Sequence, residues 1–413
     1  MHVLILNQTF YPDVAATAQH MWDLAQHLAA GGHRVTALTS RHLYGTSQSA
    51  GEPFERIGTI EIHRVGGTAY GKGGLAKRAA DFGSFYAAAA LKLQQLPAPE
   101  VILALTSPPM IAALAMLQKQ FRRTDGGRAP RFVYHVMDLY PDAAVASGVL
   151  RAGGLPDRAF GRVTAQTLGA ADAIIALGRD MRERILARYR RHVRPERIHV
   201  VPPWADGREL YPIEKSDNPL AAELGVRDTF NVVYSGNLGI AHDVQTIVGA
   251  IDLTAGNDRL RWLFIGGGKG LGQLREQATR ARWPHVRILP YQPRELLNQS
   301  LNLADVHLVS QLPPFVGLVV PSKLFGIMAV AKPTIMVGPA DAECSRILTE
   351  HAAGVVVPNG DAQKLATTIE RLSADPESSD ALGRRAREAF DRHYDREIAC
   401  ARIAAILEEA SHR

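Results

Sequence analysis

Three segments of this chain hold residue types suited to binding an anion. Ser235-Gly-Asn-Leu-Gly239 follows an apolar run and precedes a helix expected to start near Asp243. Its glycines, Gly236 and Gly239, flank Asn237 and let backbone amides approach a phosphate. Phe264-Ile-Gly-Gly-Gly-Lys-Gly270 offers a similar strand end, with Gly267, Gly268 and Lys269 at its tip. Each segment alone reads as a phosphate contact or as a tight turn, and two on successive strands strengthen the first reading. Neither has the spacing of the Gly-Lys-Ser/Thr phosphate loop or of the G-x-G-x-x-G dinucleotide fingerprint. The third segment, Val320-Pro-Ser-Lys-Leu-Phe-Gly326, puts Ser322 and Lys323 at a helix start behind a proline. Hydroxyl, ammonium and helix dipole would converge there on one anion, unless the pair is only an N-cap with a solvated lysine.

Carboxylates and a histidine supply the remaining chemistry. Glu343, in Gly338-Pro-Ala-Asp-Ala-Glu-Cys-Ser345, stands at a strand end where it could bind ribose hydroxyls. No Asp-x-Asp occurs, so a metal clamp on two phosphates has no evident ligands and no metal or other cofactor is expected. Charge on a departing pyrophosphate would fall to lysine, hydroxyl and helix termini. In the first half, His135-Val-Met-Asp-Leu-Tyr-Pro-Asp142 ends a buried strand with Asp138 at its carboxyl end, the usual place for a working residue in open parallel sheets. His135 reads otherwise as a satisfied core histidine, and Asp138 as a helix or turn cap. Leu105-Thr-Ser-Pro-Pro109, with Ser107, and Tyr11 to Gln19, with Ala16 and Gln19, are loops expected on the same side as Asp138.

The elements that must position these residues alternate regularly. Apolar runs at Val3–Leu6, Val35–Thr39, Val101–Leu105, Phe132–Met137, Ala173–Ala176 and His199–Val201 are separated by helical patterns, the first carrying Met21, Leu24, Ala25 and Leu28 and stopped by Gly31-Gly32. This βαβ rhythm predicts a doubly wound parallel sheet. Val201-Pro-Pro-Trp-Ala-Asp-Gly207 breaks the rhythm, which restarts at Val232–Ser235, Trp262–Gly266, Val286–Pro290, Val306–Val309, Thr334–Val337 and Gly354–Val357. The reading is α/β with two domains: residues 1–205 and 208–392, with a final helical stretch near 393–413 returning to the first.

The 413 residues are 46% hydrophobic and 21% charged, which excludes disorder, collagen and coiled coil. No apolar stretch approaches the roughly 18 residues that a bilayer span needs. The N-terminus lacks a basic region and a cleavage site, and Cys344 and Cys400 are the two cysteines, so a cytoplasmic location is expected. Net charge is +6, unevenly spread: residues 1–206 hold 24 Lys and Arg against 16 Asp and Glu, and the rest 23 against 25. Basic clusters at Lys72, Lys77 and Arg78, at Arg122, Arg123, Arg128 and Arg131, and from Arg182 to Arg197 are either solvated helix faces or a surface for anionic lipid or a phosphorylated substrate. Nucleic acid is not an expected partner, because the basic runs lack interleaved aromatics.

In order along the chain, Tyr11-Pro-Asp13, Gly32-His-Arg-Val35, Thr106-Ser-Pro-Pro109, Asp138-Leu-Tyr-Pro141, Val201-Pro-Pro-Trp204, Ser235-Gly-Asn-Leu-Gly239, Phe264-Ile-Gly-Gly-Gly268 and Pro321-Ser-Lys323 resemble the motifs of retaining glycosyltransferases of family 4. The likeness runs from about residue 2 to 400 and is nearest to the bacterial branch building surface polysaccharide, the colanic acid and O-antigen fucosyl-type transferases. The resemblance implies the GT-B fold of two facing Rossmann-like domains, a nucleotide-sugar donor on the second and a glycan or polyprenyl-linked acceptor on the first. It further implies Gly236, Asn237 and Gly239 beside the donor phosphates, Tyr291 and Gln292 near the base, and Ser322, Lys323 and Leu324 by pyrophosphate and sugar. Asp138 would face the reacting sugar, the departing phosphate would help deprotonate the acceptor hydroxyl, and the basic first domain would meet the inner face of the cell membrane. Leu318 and Gly326 stand where the family often has a pair of glutamates. That departure motivates two alternatives, an inactive GT-B scaffold and, by fold, a nucleotide-sugar epimerase.

Overall fold

The computed structural model describes residues 1–43, 46–68, 74–281 and 283–412, without the side chains of 75, 76, 78 and 79. The chain divides into two compact units, Met1–Pro202 with the residues from Ala399 onward, and Pro203–Ile398.

In the first unit the strands are β1 (His2–Leu6), β2 (Arg34–Ser40), β3 (Phe54–Ile57), β4 (Ile60–Val65), β5 (Val101–Ala104), β6 (Arg131–Val136), β7 (Ala173–Ala176) and β8 (Ile198–Val200). They form one sheet in the order β3-β4-β2-β1-β5-β6-β7-β8, parallel except for β3, which pairs antiparallel with β4. Helices joining parallel neighbours cover both faces, so the central strands are continuous apolar runs. Val3, Leu6, Ile102, Leu103, Phe132 and Val133 are fully buried. The β3–β4 pair has no counterpart among the expected strands, because its apolar positions alternate with Glu55, Arg56, Glu61 and Arg64, as on a solvated ribbon. One of these charges is interior: the Arg64 side chain is wholly buried, 2.7 Å from Glu55 and bonded to the carbonyls of Glu52 and Tyr11.

The second unit holds β9 (Phe230–Asn237), β10 (Leu260–Gly267), β11 (Val286–Leu289), β12 (Val306–Ser310), β13 (Thr334–Val337) and β14 (Gly354–Val357), all parallel in the order β11-β10-β9-β12-β13-β14. Its core is centred on Trp262, stacked on Phe264 with ring centroids 6.4 Å apart, together with Ile247, Leu274, Leu308 and Ile369. Both sheets reverse strand order once, between β1 and β5 and between β9 and β12. Ligands of open α/β sheets bind beyond the carboxyl ends of the strands at such a reversal. The sequence therefore aims two sets of loops at two crevices, one in each unit. The last helix, Arg396–His412, starts in the second unit and runs on into the first.

Candidate functional site

The second unit's crevice is built on paired glycine backbone. Gly236 and Asn237, expected in the loop after the strand run Val232–Ser235, are the last residues of β9 and lie in register with Gly266 and Gly267 of β10. Gly266 has φ +137°, and a Cβ on it would stand 2.2 Å from the Gly236 carbonyl oxygen. At Gly268, φ +110°, a Cβ would meet Asn237 Oδ1 and the Leu238 carbonyl at 2.5 Å. No side chain fits either place, so the two strand ends close into one cradle. The Tyr291 ring packs on Gly267 yet is 61% exposed, a flat aromatic face at the cradle's edge. Gln292 turns back to the Pro290 carbonyl at 3.1 Å.

A cation reaches this cradle from the helix Lys323–Ala329. Lys323 Nζ donates to the Tyr234 hydroxyl and lies 3.8 Å from the centroid of the Tyr234 ring, while a Cβ on Gly236 would be 3.8 Å from Nζ. The Tyr234 hydroxyl donates to the Asn237 carbonyl at 3.1 Å. Burial pushes the Lys323 ammonium down to about 7. His242 stands edge-on to Tyr234, bonds the Ser310 carbonyl through Nδ1 at 2.6 Å, and is driven down to about 4 by burial and by Lys323, so it is neutral at physiological pH. Neither Tyr234, which falls inside the apolar run Val232–Ser235, nor His242 is among the site residues expected from the sequence.

Other expected donor-side residues are placed differently. Lys269 is exposed on the first turn of the helix Lys269–Ala281. Ser322 precedes its helix without a side-chain cap bond, because its backbone is already helical at φ −64°, ψ −21°. Leu324 is fully buried in the core, so only its backbone can face a ligand. Glu343 is 3% exposed in the first turn of Glu343–Glu350. Gly239 packs on the Asn237 amide, to which a Cβ there would lie at 3.2 Å. Leu318 is fully buried, and a Cβ on Gly326 would sit 3.4 Å from both Leu210 Cδ1 and Leu301 Cδ1. Leu318 is therefore interior, and Gly326, half-buried, faces apolar side chains.

In the first unit three loops are laced together at the β1/β5 reversal. Gln8 N–H donates to the Ser107 carbonyl at 2.6 Å, and Asp138 N–H to Thr106 Oγ1 at 3.2 Å. Arg64 holds the Tyr11 carbonyl at 3.0 Å, and Gln19 bonds the Val14 carbonyl at 2.8 Å near exposed Ala16. Asp138 stands two residues beyond β6, and surrounding protein raises its carboxyl to about 6. It is not the helix cap: the helix Asp142–Ala146 is preceded by Pro141. His135 is the last but one residue of β6. The strand pleat sends it inward, where it is wholly buried, both ring nitrogens lack partners, and desolvation drives it down to about 3. Asn7 Oδ1 and Gln8 Oε1, missed from sequence, are buried without a partner at the end of β1.

The turn carrying Asp138 is anchored from behind by ions. Arg188 bonds Asp142 at 2.8 Å and Asp157 at 3.0 Å, and Asp157 also accepts Gly153 N–H at 2.9 Å. Those contacts hold the Asp157 carboxyl below the usual range. Within the basic clusters, Lys72 lies outside the described residues, while Lys77 is exposed. Among the described residues no helix is long and apolar enough to cross a membrane.

Comparison with known proteins adds a consistent frame. Residues 16–204 match the model of the glycosyl transferase 4-like domain, and residues 221–389 that of glycosyl transferases group 1. The chain is 27% identical over 277 residues to the probable glycosyltransferase WbjE of Pseudomonas aeruginosa, covering 67% of this chain and 68% of that one. It is 23% identical over 368 residues to the putative colanic acid biosynthesis glycosyl transferase WcaI of Escherichia coli K12, covering 86% and 88%. The fold is that of Anabaena HepE, solved in complex with UDP-glucose, at TM-score 0.71 and 15% identity over 99% of this chain and 100% of that one.

Proposed function

Because the chain belongs to the GT-B glycosyltransferases, its first half in the 4-like family and its second in group 1, we propose that it transfers a sugar, with retention, from a UDP-sugar to a lipid-linked or glycan acceptor of bacterial surface polysaccharide. The observation that carries this reading is Lys323 Nζ beside the Gly236 backbone of the glycine cradle. In the reaction the acceptor oxygen bonds to the anomeric carbon as the bond to the diphosphate breaks, and the acceptor proton passes to the departing phosphate. Negative charge then grows on the leaving diphosphate, where Lys323 and the backbone of the glycine cradle at Gly236, Gly239, Gly267 and Gly268 stabilise it without a metal. Tyr291 offers its exposed face to the base. Asp138, with Ser107 on a neighbouring loop and Gln19, which lies not in the expected loop but in the first turn of the helix Ala16–Ala30, serves the acceptor side. UDP is favoured by HepE, whose structure holds UDP-glucose.

A thermal-shift series with UDP, GDP, CMP and dTDP, each with magnesium and with EDTA, tests the donor. Ligand that binds only the folded state raises the melting temperature, by about 2.7 kcal/mol of stability at a hundred times Kd. UDP is expected to raise it equally in EDTA. No response to any nucleotide would favour the inactive scaffold, and slow hydrolysis of a UDP-sugar would exclude it.

Peripheral attachment to the inner membrane face is part of the same proposal. From the turn after the helix Asp142–Ala146 into the first turn of Leu155–Ala170, Val149 is 52% and Leu155 82% exposed, interspersed with exposed Arg151 and Arg158. The acid of this segment, Asp157, is turned inward to Arg188. Apolar tips among arginines suit an anionic bilayer surface. The protein is expected to sediment with phosphatidylglycerol vesicles at low salt, to be released by salt, and to lose binding in V149E/L155E. Indifference to the anionic lipid would end this part of the proposal.

A further inference from the structure

Nothing anionic accompanies Lys323. Among the described residues no carboxylate pairs with its Nζ; the titratable groups facing it are Tyr234 on β9, His242 before the helix Val244–Leu253, His307 on β12, and Cys344 on the helix Glu343–Glu350. The nearest is the Tyr234 phenol, whose own proton is committed to the Asn237 carbonyl, leaving a lone pair to accept an N–H from Nζ. A phenol oxygen and a ring face can hold an amine in place without supplying the counter-charge an ammonium needs. The ring attracts a cation by about 0.5–2 kcal/mol, less than enclosure of an unpaired charge costs.

We propose that Tyr234 is a positioning residue that holds Lys323 as a neutral amine in the donor-free enzyme, and that Lys323 takes up one proton from solvent when a sugar nucleotide's diphosphate enters the cradle. This rests on the donor reading above. The incoming diphosphate carries two negative charges and, as a diester, has no proton of its own to give near neutrality, so the bound state restores the ammonium and its pairing. Donor capture is thereby a protonation-linked event, and the ammonium is present only when there is a diphosphate to neutralise. The shift of Lys323 to about 7 places the change within the physiological range.

Titration calorimetry with UDP-glucose, in buffers of different ionisation enthalpy, reads the proton directly. Uptake close to one proton per ligand is expected at pH 8 and about 0.1 at pH 6, with Kd weakening roughly tenfold per pH unit above 7. K323R, whose guanidinium stays charged, is expected to bind without buffer dependence. Y234F keeps the ring but not the lone pair, and is expected to lower affinity at pH 8 more than at pH 6. Heat that is independent of buffer in the wild-type protein overturns the proposal and leaves the donor reading intact. Uptake that persists in K323R also overturns it, assigning the proton to His242. An absence of binding at both pH values removes the donor reading itself.

Discussion

K323M is expected to lose nearly all transfer activity and to melt at a higher temperature than the wild-type protein. Activity falls because the leaving diphosphate loses the cation beside the glycine cradle; removing one such stabilising group costs about 10²–10³ in kcat. Stability rises because an ammonium enclosed without a counter-ion opposes folding. Lys323 has a folded value near 7, against about 10.5 in the unfolded chain. The unfolded state therefore binds more protons between these values, and native stability climbs with pH across that window. At pH 7 and below the penalty is fully present, about 3 kcal/mol after allowing for the partial exposure of the residue. Methionine fills the same channel without charge, and the Tyr234 hydroxyl keeps its bond to Asn237. Each kcal/mol is worth about 2–4 °C in a unit of this size. The gain is expected to shrink as pH rises and to vanish by about pH 10.5. An inactive K323M that is less stable than wild type at pH 7 would mean that Lys323 is a structural residue with a partner.

The contrast between what the sequence conveyed about the sheets and about the crevices has a physical cause. Parallel strands buried on both faces must be apolar throughout, so Ala173–Ala176, Thr334–Val337 and Gly354–Val357 were legible to the residue. The β3–β4 ribbon was not, because Arg64 looks like surface until Glu55 and two carbonyls are brought to it by folding. Gly236 and Asn237 read as a turn beyond Val232–Ser235, since glycine and polar side chains seldom extend a strand; they join the strand where Gly266 and Gly267 allow backbone to approach backbone. Local spacing singles out Lys323 and the glycines, which the fold brings together: a Cβ on Gly236 would lie 3.8 Å from Lys323 Nζ. It missed Tyr234, which meets Lys323 only because a lysine 89 positions away folds onto it. His135, read either as an acceptor-side residue or as a core histidine, is wholly buried in β6.

D138N is expected to repeat the pattern of K323M with the opposite pH dependence. Enclosure lifts the Asp138 carboxyl to about 6, with no hydrogen bond or cation contributing to the shift. A carboxyl raised in the folded state makes that state the better proton binder between about 4 and 6, so stability is lost as pH rises through this interval. Asparagine removes the penalty, and the variant is expected to gain about 2 kcal/mol at pH 7 and nothing at pH 4. Transfer is expected to fall by about 10²–10⁴, and the wild-type pH profile to rise through pH 6 as the carboxylate forms, a rise absent from the residual activity of D138N. Asp142, four residues on, supplies the internal comparison. Its carboxylate is also buried, but Arg188 stands 2.8 Å away, so D142N removes a buried ion pair, leaves Arg188 with Asp157 alone, and is expected to destabilise. Two neighbouring aspartates with opposite responses separate a carboxylate kept for the substrate from one kept for the fold. Equal destabilisation of both would place Asp138 in the scaffold that holds the turn.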